Sequence, residues 1–224
     1  MRQIPLDLLR AEPPSLDNFV VGRNAEALAT MRALQAGAAA PAVVYLWGEA
    51  GCGKSHLLSS LVGPQAVLGP QTAPAGFAPP QLPPRLAVDD CDRLDDEQQQ
   101  RLFQLINHAR AQGGTVVVAA GSQPPLALPL RDELRTRLGA GLVYRIHLLD
   151  DEEKADVLHH SAAARGVALS PEVIPYLISH TSRDIRALLR LFDALDRYAL
   201  EQKRAITLPL LRQLEAAGAL VKSH

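Results

Sequence analysis

Gly48-Glu-Ala-Gly51-Cys52-Gly53-Lys54-Ser55 sets glycines, a lysine and a hydroxyl at the spacing G-x-x-x-x-G-K-S. That is chemistry for a polyphosphate. The glycines let the backbone wrap tightly enough to aim N–H groups at phosphate oxygens. Lys54 would reach the β- and γ-phosphates of ATP or ADP, and the Ser55 hydroxyl would ligate Mg2+. A helix starting near Gly53, with His56 in its first turn, would point its positive dipole end at the same anion. The competing reading is a chance glycine turn. Context outweighs it, because the β-forming apolar run Ala42–Trp47 precedes the loop and a helical pattern follows.

A second stretch completes the chemistry. In Leu86-Ala-Val-Asp89-Asp90-Cys-Asp92 an apolar strand ends in two acids. Asp89 would hold Mg2+ through water, and Asp90 would sit where an attacking water is polarised. Alone, the pair reads equally well as a solvated turn capping the next element. Beside a phosphate loop it reads as the acidic half of a nucleotide site.

These residues need rigid elements. Ala42–Trp47, Arg85–Val88, Thr115–Ala120 and Leu142–Leu148 read as buried strands. Residues 24–35 read as a helix with Ala25, Leu28, Met31 and Leu34 inward and Asn24 as its cap. Residues 95–110 read as another, with Leu102, Leu105, Ile106 and Ala109 inward. The alternation predicts an α/β fold, a parallel sheet with helices on both faces. Between residues 64 and 84 stand seven prolines, which predict an irregular surface connection. After Asp150 the strands stop, and helical patterns begin near Asp151, Pro171, Arg183 and Leu208. The expected organisation is an extended arm over 1–14, a nucleotide-binding domain over 15–150 and a small helical lid over 151–224.

Bulk properties narrow the class. The net charge is -1 over 224 residues, so no global basic excess predicts sequence-specific DNA binding. No apolar run approaches a membrane span. The acids and prolines of the N-terminus do not suit a signal peptide. Cys52 and Cys91 lie in different motifs and read as reduced thiols, which predicts a cytoplasmic protein. The adjacent His159 and His160 would point about 100° apart on a helix and read as surface residues, not metal ligands.

From Ser15 onward the chain resembles the AAA+ P-loop ATPases, and within them the bacterial replication initiator DnaA and its relatives. Ser15–Leu28 (SLDNFVVGRNAEAL) is similar to the segment that opens the initiator's ATPase domain. The resemblance implies that Val20, Val21 and Gly22 line the adenine pocket, with Asn18 and Phe19 beside them. Ser122 follows the fourth strand where the family carries its first sensor, usually Asp, Asn or Thr, so the match is weak. Leu134–Gly139 (LRTRLG) resembles the motif holding an arginine finger, which makes Arg137 the finger and Arg135 its neighbour. Such a finger acts in trans on a nucleotide held by the next subunit. Ser182–Leu188 (SRDIRAL) resembles the second sensor, with Arg186 on the nucleotide phosphates.

The chain shows neither the initiator's N-terminal interaction domain nor its basic helix-turn-helix, and its proline-rich 64–84 stretch stands where the initiator inserts helices between its second and third strands, so origin melting is not expected. Gln3-Ile4-Pro5-Leu6-Asp7-Leu8 resembles the peptides by which replication proteins dock on the sliding clamp. The other reading of this hexamer is an apolar arm packed on its own domain. Together these features resemble the DnaA-related regulatory inactivators of initiation. The resemblance implies a nucleotide-bound protein, with ADP or ATP and Mg2+. It would dock on DNA-loaded clamp, and thereby on the nucleoid, and trigger hydrolysis of the ATP on DnaA. AAA+ surfaces also self-associate. The alternative is an autonomous DnaA-like or helicase-loader ATPase acting on DNA, which the 4% aromatic content argues against.

Overall fold

The computed structural model describes residues 13–78, 81–180, 185–202 and 205–216. Its sheet is built outward from β1 (Val43–Trp47), whose first four side chains are all buried. A strand buried on both faces must be central, and β1 lies between two parallel neighbours. These are β4 (Val116–Gly121) and β5 (Leu142–Arg145), which set Gly121 and Arg145 opposite Trp47 on either side. β3 (Arg85–Val88) pairs with the far edge of β4, and β2 (Val67–Leu68) with β3, giving the order β2-β3-β4-β1-β5.

Side-chain alternation splits the core into two layers. Val44, Leu46, Ala87, Val118 and Ala120 face Leu28, Met31 and Leu34 of α1 (Ala25–Gln35) and Leu57, Leu58 and Leu61 of α2 (Lys54–Val62). Val43, Tyr45, Val88, Val117 and Ala119 face Leu102, Leu105 and Ile106 of α3 (Asp96–Gln112) and Leu134 and Leu138 of α4 (Asp132–Gly139). The helix after β1 therefore covers one face, and those on either side of β4 cover the other. That places a topological switch between β1 and β4, and the crevice at their carboxyl ends is where such sheets take ligands.

Four expectations need correction. β5 is a short edge strand and not a buried one, with Leu142 37% and Val143 39% exposed, because among the described residues no strand lies beyond it. On α1 the inward alanine is Ala27, while Ala25 is exposed. Asn24 precedes that helix but makes no side-chain cap bond. The proline-rich connection is structural as well as irregular. It supplies β2, and it buries Phe77 to 1% exposure against the α3 layer. The Gln98 amide, buried on α3, donates to the Pro70 and Thr72 carbonyls at 3.0 and 2.8 Å and ties the connection down.

From Leu149 the chain forms a second unit with its own core. α5 (Asp151–Arg165) opens with a reciprocal cap, in which Glu153 N–H reaches the Asp150 side chain and Asp150 N–H reaches the Glu153 carboxylate. α6 (Val173–His180), α7 (Ile185–Gln202) and α8 (Leu208–Ala216) pack around Leu177, Phe192 and Leu211. A single parallel bridge, Leu169 to Ile206, is the strand-like pairing among its described residues.

Candidate functional site

The phosphate loop joins β1 to α2, and close approaches explain two of its three glycines. A Cβ on Gly48 would lie 2.2 Å from the Ile146 carbonyl oxygen. A Cβ on Gly53 would lie 2.8 Å from the Phe19 ring, and Gly53 also has φ 103°, where a side chain is strained. Phe19 is buried, and its ring centroid sits 5.6 Å from that of His56 on α2. His56 donates from Nε2 to the Ser15 carbonyl at 2.8 Å. The segment expected beside the adenine is thus clamped to the helix that follows the loop.

The Lys54 ammonium is buried inside the loop and donates to the carbonyls of Gly48 and Glu49 at 2.7 and 3.0 Å. The Cys52 sulfur lies 3.7 Å away. Ser55 is exposed in the first turn of α2, and Gly51 turns at φ 82°. Of the adenine-side residues, Val20 is half-buried, Val21 is 37% exposed and Gly22 turns at φ 45°.

Asn24 acts across the sheet end. Its amide nitrogen donates to the His147 carbonyl at 3.0 Å, and its oxygen accepts from the His147 N–H at 2.7 Å. It is buried to 3% exposure, so both bonds are shielded from water. The pair fixes the start of α1 against the strand end that borders the phosphate loop. The sequence points to Asn24 but not to its partner, which is 123 residues away.

Asp89 and Asp90 end β3. Asp89 N–H donates to the Leu68 carbonyl of β2 at 2.8 Å, and Asp89 Oδ1 accepts from Asp90 N–H at 2.9 Å. Asp90 is, among the described residues, the one non-glycine at positive φ, 46°, and its carboxylate meets Arg93 at 3.3 Å. Such strain collects at functional positions. Ser122 is exposed after β4, and its hydroxyl donates to Asp92 at 2.6 Å. Below it, the Tyr45 hydroxyl donates to the Gln123 carbonyl at 2.8 Å and holds that loop. Burial pushes the Tyr45 phenol well above the usual tyrosine range, helped by Cys91 and Asp92. Burial likewise pushes the Cys91 thiol up to about 12, with Asp92 adding to it.

The two arginines of α4 differ. Arg135 is tied to Asp132 and to the Leu126 carbonyl. Arg137 pairs with no carboxylate among the described residues, and its guanidinium rests 5.8 Å from the Phe103 ring centroid. Gln99 aims the helix, giving its amide to the Leu94 carbonyl and accepting the Arg131 N–H. Arg186 lies in the first turn of α7, and its side chain is outside the described residues, as are Ser182, Arg183 and Asp184. Gln3, Ile4, Pro5, Leu6, Asp7 and Leu8 also lie outside them.

No cluster of three or more His, Cys, Asp or Glu able to cage a metal occurs among the described residues. The oxygen donors Ser55 and Asp89 instead suit a Mg2+ that takes its remaining ligands from phosphate and water. No described helix is long and apolar enough to cross a membrane.

Residues 151–214 match the family model described as "Hda, lid domain". A Haemophilus influenzae protein of uncharacterised function is 29% identical, over 95% of this chain and 98% of its own. Among solved structures, AMPPCP-bound DnaA from Aquifex aeolicus aligns with a TM-score of 0.63 and 23% identity, covering 87% of this chain and 69% of that one. A variant of RuvB from Thermotoga maritima aligns with a TM-score of 0.66 and 20% identity, over 93% and 73%. At such identities the structures show the shared AAA+ fold, a parallel sheet with flanking helices. The lid match lies within the second unit.

Proposed function

We propose that this chain, an Hda-like AAA+ protein, is a negative regulator of replication initiation that stimulates hydrolysis of the ATP held by DnaA. The observation that carries the reading is Arg137. It stands on α4 without an acidic partner among the described residues, beside an Arg135 that is already neutralised. A guanidinium held over a ring keeps its N–H donors for a phosphate.

In this reading the protein binds ADP in its working state, on Gly48, Gly51, Cys52, Gly53, Lys54, Ser55 and His56, with the adenine against Val20, Val21 and Gly22. Nucleotide entry exchanges the Lys54 bonds to Gly48 and Glu49 carbonyls for bonds to phosphate oxygens. Ser55 and Asp89 would hold Mg2+, which neutralises phosphate charge. Ser122 and Arg186 would sense the bound state. Residues 3–8 would dock on the DNA-loaded clamp, and Arg137 would complete the ATP site of DnaA in trans. The catalytic service is then done for a partner, and the nucleotide in this chain works as a switch. The AMPPCP-bound DnaA of the same fold supports nucleotide binding by analogy.

The test is single-round hydrolysis of labelled ATP bound to the cognate DnaA, with this protein and DNA-loaded clamp added. Strong acceleration that requires the clamp and falls on the order of a thousandfold in Arg137→Ala is expected, as for other trans fingers. Hydrolysis that stays at the rate of DnaA alone would overturn the proposal. Acceleration without clamp, driven by single-stranded DNA, would favour an autonomous ATPase.

A further inference from the structure

A cavity of about 200 Å³ opens at the carboxyl ends of β1 and β5, lined by Arg23, Trp47, Gly48, Glu49, Ser122 and Arg145. Resting on the nucleotide reading above, we propose that Arg145 is a specificity-determining residue that recognises the terminal phosphate of a nucleoside triphosphate.

Trp47 and Arg145 are directly opposed on adjacent parallel strands, so their side chains share a face, and the guanidinium lies 5.2 Å from the indole centroid. Arg32, Arg93, Arg101, Arg131, Arg135 and Arg165 each pair with a carboxylate. Arg145 pairs with none among the described residues. A cation parked on a ring, exposed and facing a cavity, keeps its forked donors for an oxyanion.

The cavity also says which oxyanion. It touches Gly48 and Glu49, whose carbonyls hold the Lys54 ammonium, and lysine at this loop position serves the terminal phosphates. Ser122, at the expected first sensor, lines the same space. ADP lacks the group that Arg145 would meet, so this residue separates ATP from ADP. The shared chemistry is a phosphate dianion, and free inorganic phosphate is the other source.

Trp47 is the sole tryptophan of the chain, so its emission reports on the cavity directly. The experiment titrates wild type, Arg145→Gln and Arg145→Lys with ATP, ADP and inorganic phosphate in Mg2+, following Trp47 emission and displacement of a fluorescent ADP analogue. Expected in Arg145→Gln is about a tenfold loss of ATP affinity with ADP affinity changed less than about twofold, since charge-assisted bonds to one phosphate are lost. Arg145→Lys should fall between, and phosphate alone should leave wild-type emission unchanged. Unfolding midpoints within about 2 °C of wild type would mark the variants as folded. An unaltered ATP-to-ADP ratio in Arg145→Gln overturns the assignment while leaving nucleotide binding intact. Phosphate alone reproducing the Trp47 response overturns it in favour of a free-anion site. A wild type that binds neither nucleotide defeats the underlying reading instead.

Discussion

At the residue scale the two arginines of α4 make opposite predictions. Arg135→Ala removes an ion pair and a bond to the Leu126 carbonyl, so it should lower stability while leaving stimulation of DnaA within a few-fold of wild type. Arg137→Ala loses a contact with Phe103 worth about 0.5–1 kcal/mol, so its thermal midpoint should move little while stimulation collapses. Thermal melts run beside the hydrolysis assay separate the two. Cys91 makes a second prediction. Its thiol is raised to about 12 in the fold, above its unfolded value, so the folded state holds its proton longer. That stability is fully present below the unfolded thiol value near 8.5–9 and is lost as pH rises from there toward 12. Denaturant midpoints measured from pH 7.5 to 10.5 should fall, and Cys91→Ala should fall less steeply. Tyr45, raised in the same direction, would sustain the remaining slope.

At the element scale the connections carry more than their composition suggests. β2 lies inside the proline-rich stretch and fixes Asp89 through the Leu68 carbonyl, so an irregular segment positions one of the two acids that end β3. Phe77→Ala should therefore cost about 3–5 kcal/mol, readable by urea unfolding. Asn24→Ala would strip both partners from the His147 backbone and cost about 1–3 kcal/mol, with slackened nucleotide affinity as the accompanying readout. A loss no larger than that of an exposed substitution would show that water replaces the clamp. Neither role is legible in sequence. Two residues are too few to show a strand period, and an asparagine before a helix looks the same whether it caps or reaches across a sheet.

At the scale of the whole molecule, binding and stability are one measurement. Nucleotide that binds the folded state alone stabilises it by about 2.7 kcal/mol at a hundredfold excess over Kd. For a chain of this length that is a rise of roughly 5–10 °C in the thermal midpoint. ADP should produce it in wild type and not in Lys54→Ala, whose loop has lost its buried cation. The second unit has a core of its own from Leu158 to Leu211, so two transitions are expected in the absence of nucleotide. Scanning calorimetry with and without ADP checks both points.

The phosphate loop, the acidic strand end, the parallel α/β core and the helical second unit were legible in the sequence because each is a local pattern. Glycine spacing, apolar runs and helical periods are written over a few consecutive residues, and they placed Gly48 to Ser55 between a strand and a helix and Asp89–Asp90 at a strand end. Tertiary structure alone decided what depends on distant partners. It made β5 an edge, bound Asn24 to His147, tied Arg135 to Asp132 while leaving Arg137 on Phe103, and laid Arg145 over Trp47. These arrangements follow from strand order, register and the packing of α3 against α4. They rest on contacts between residues that only the closed sheet and its helices bring together.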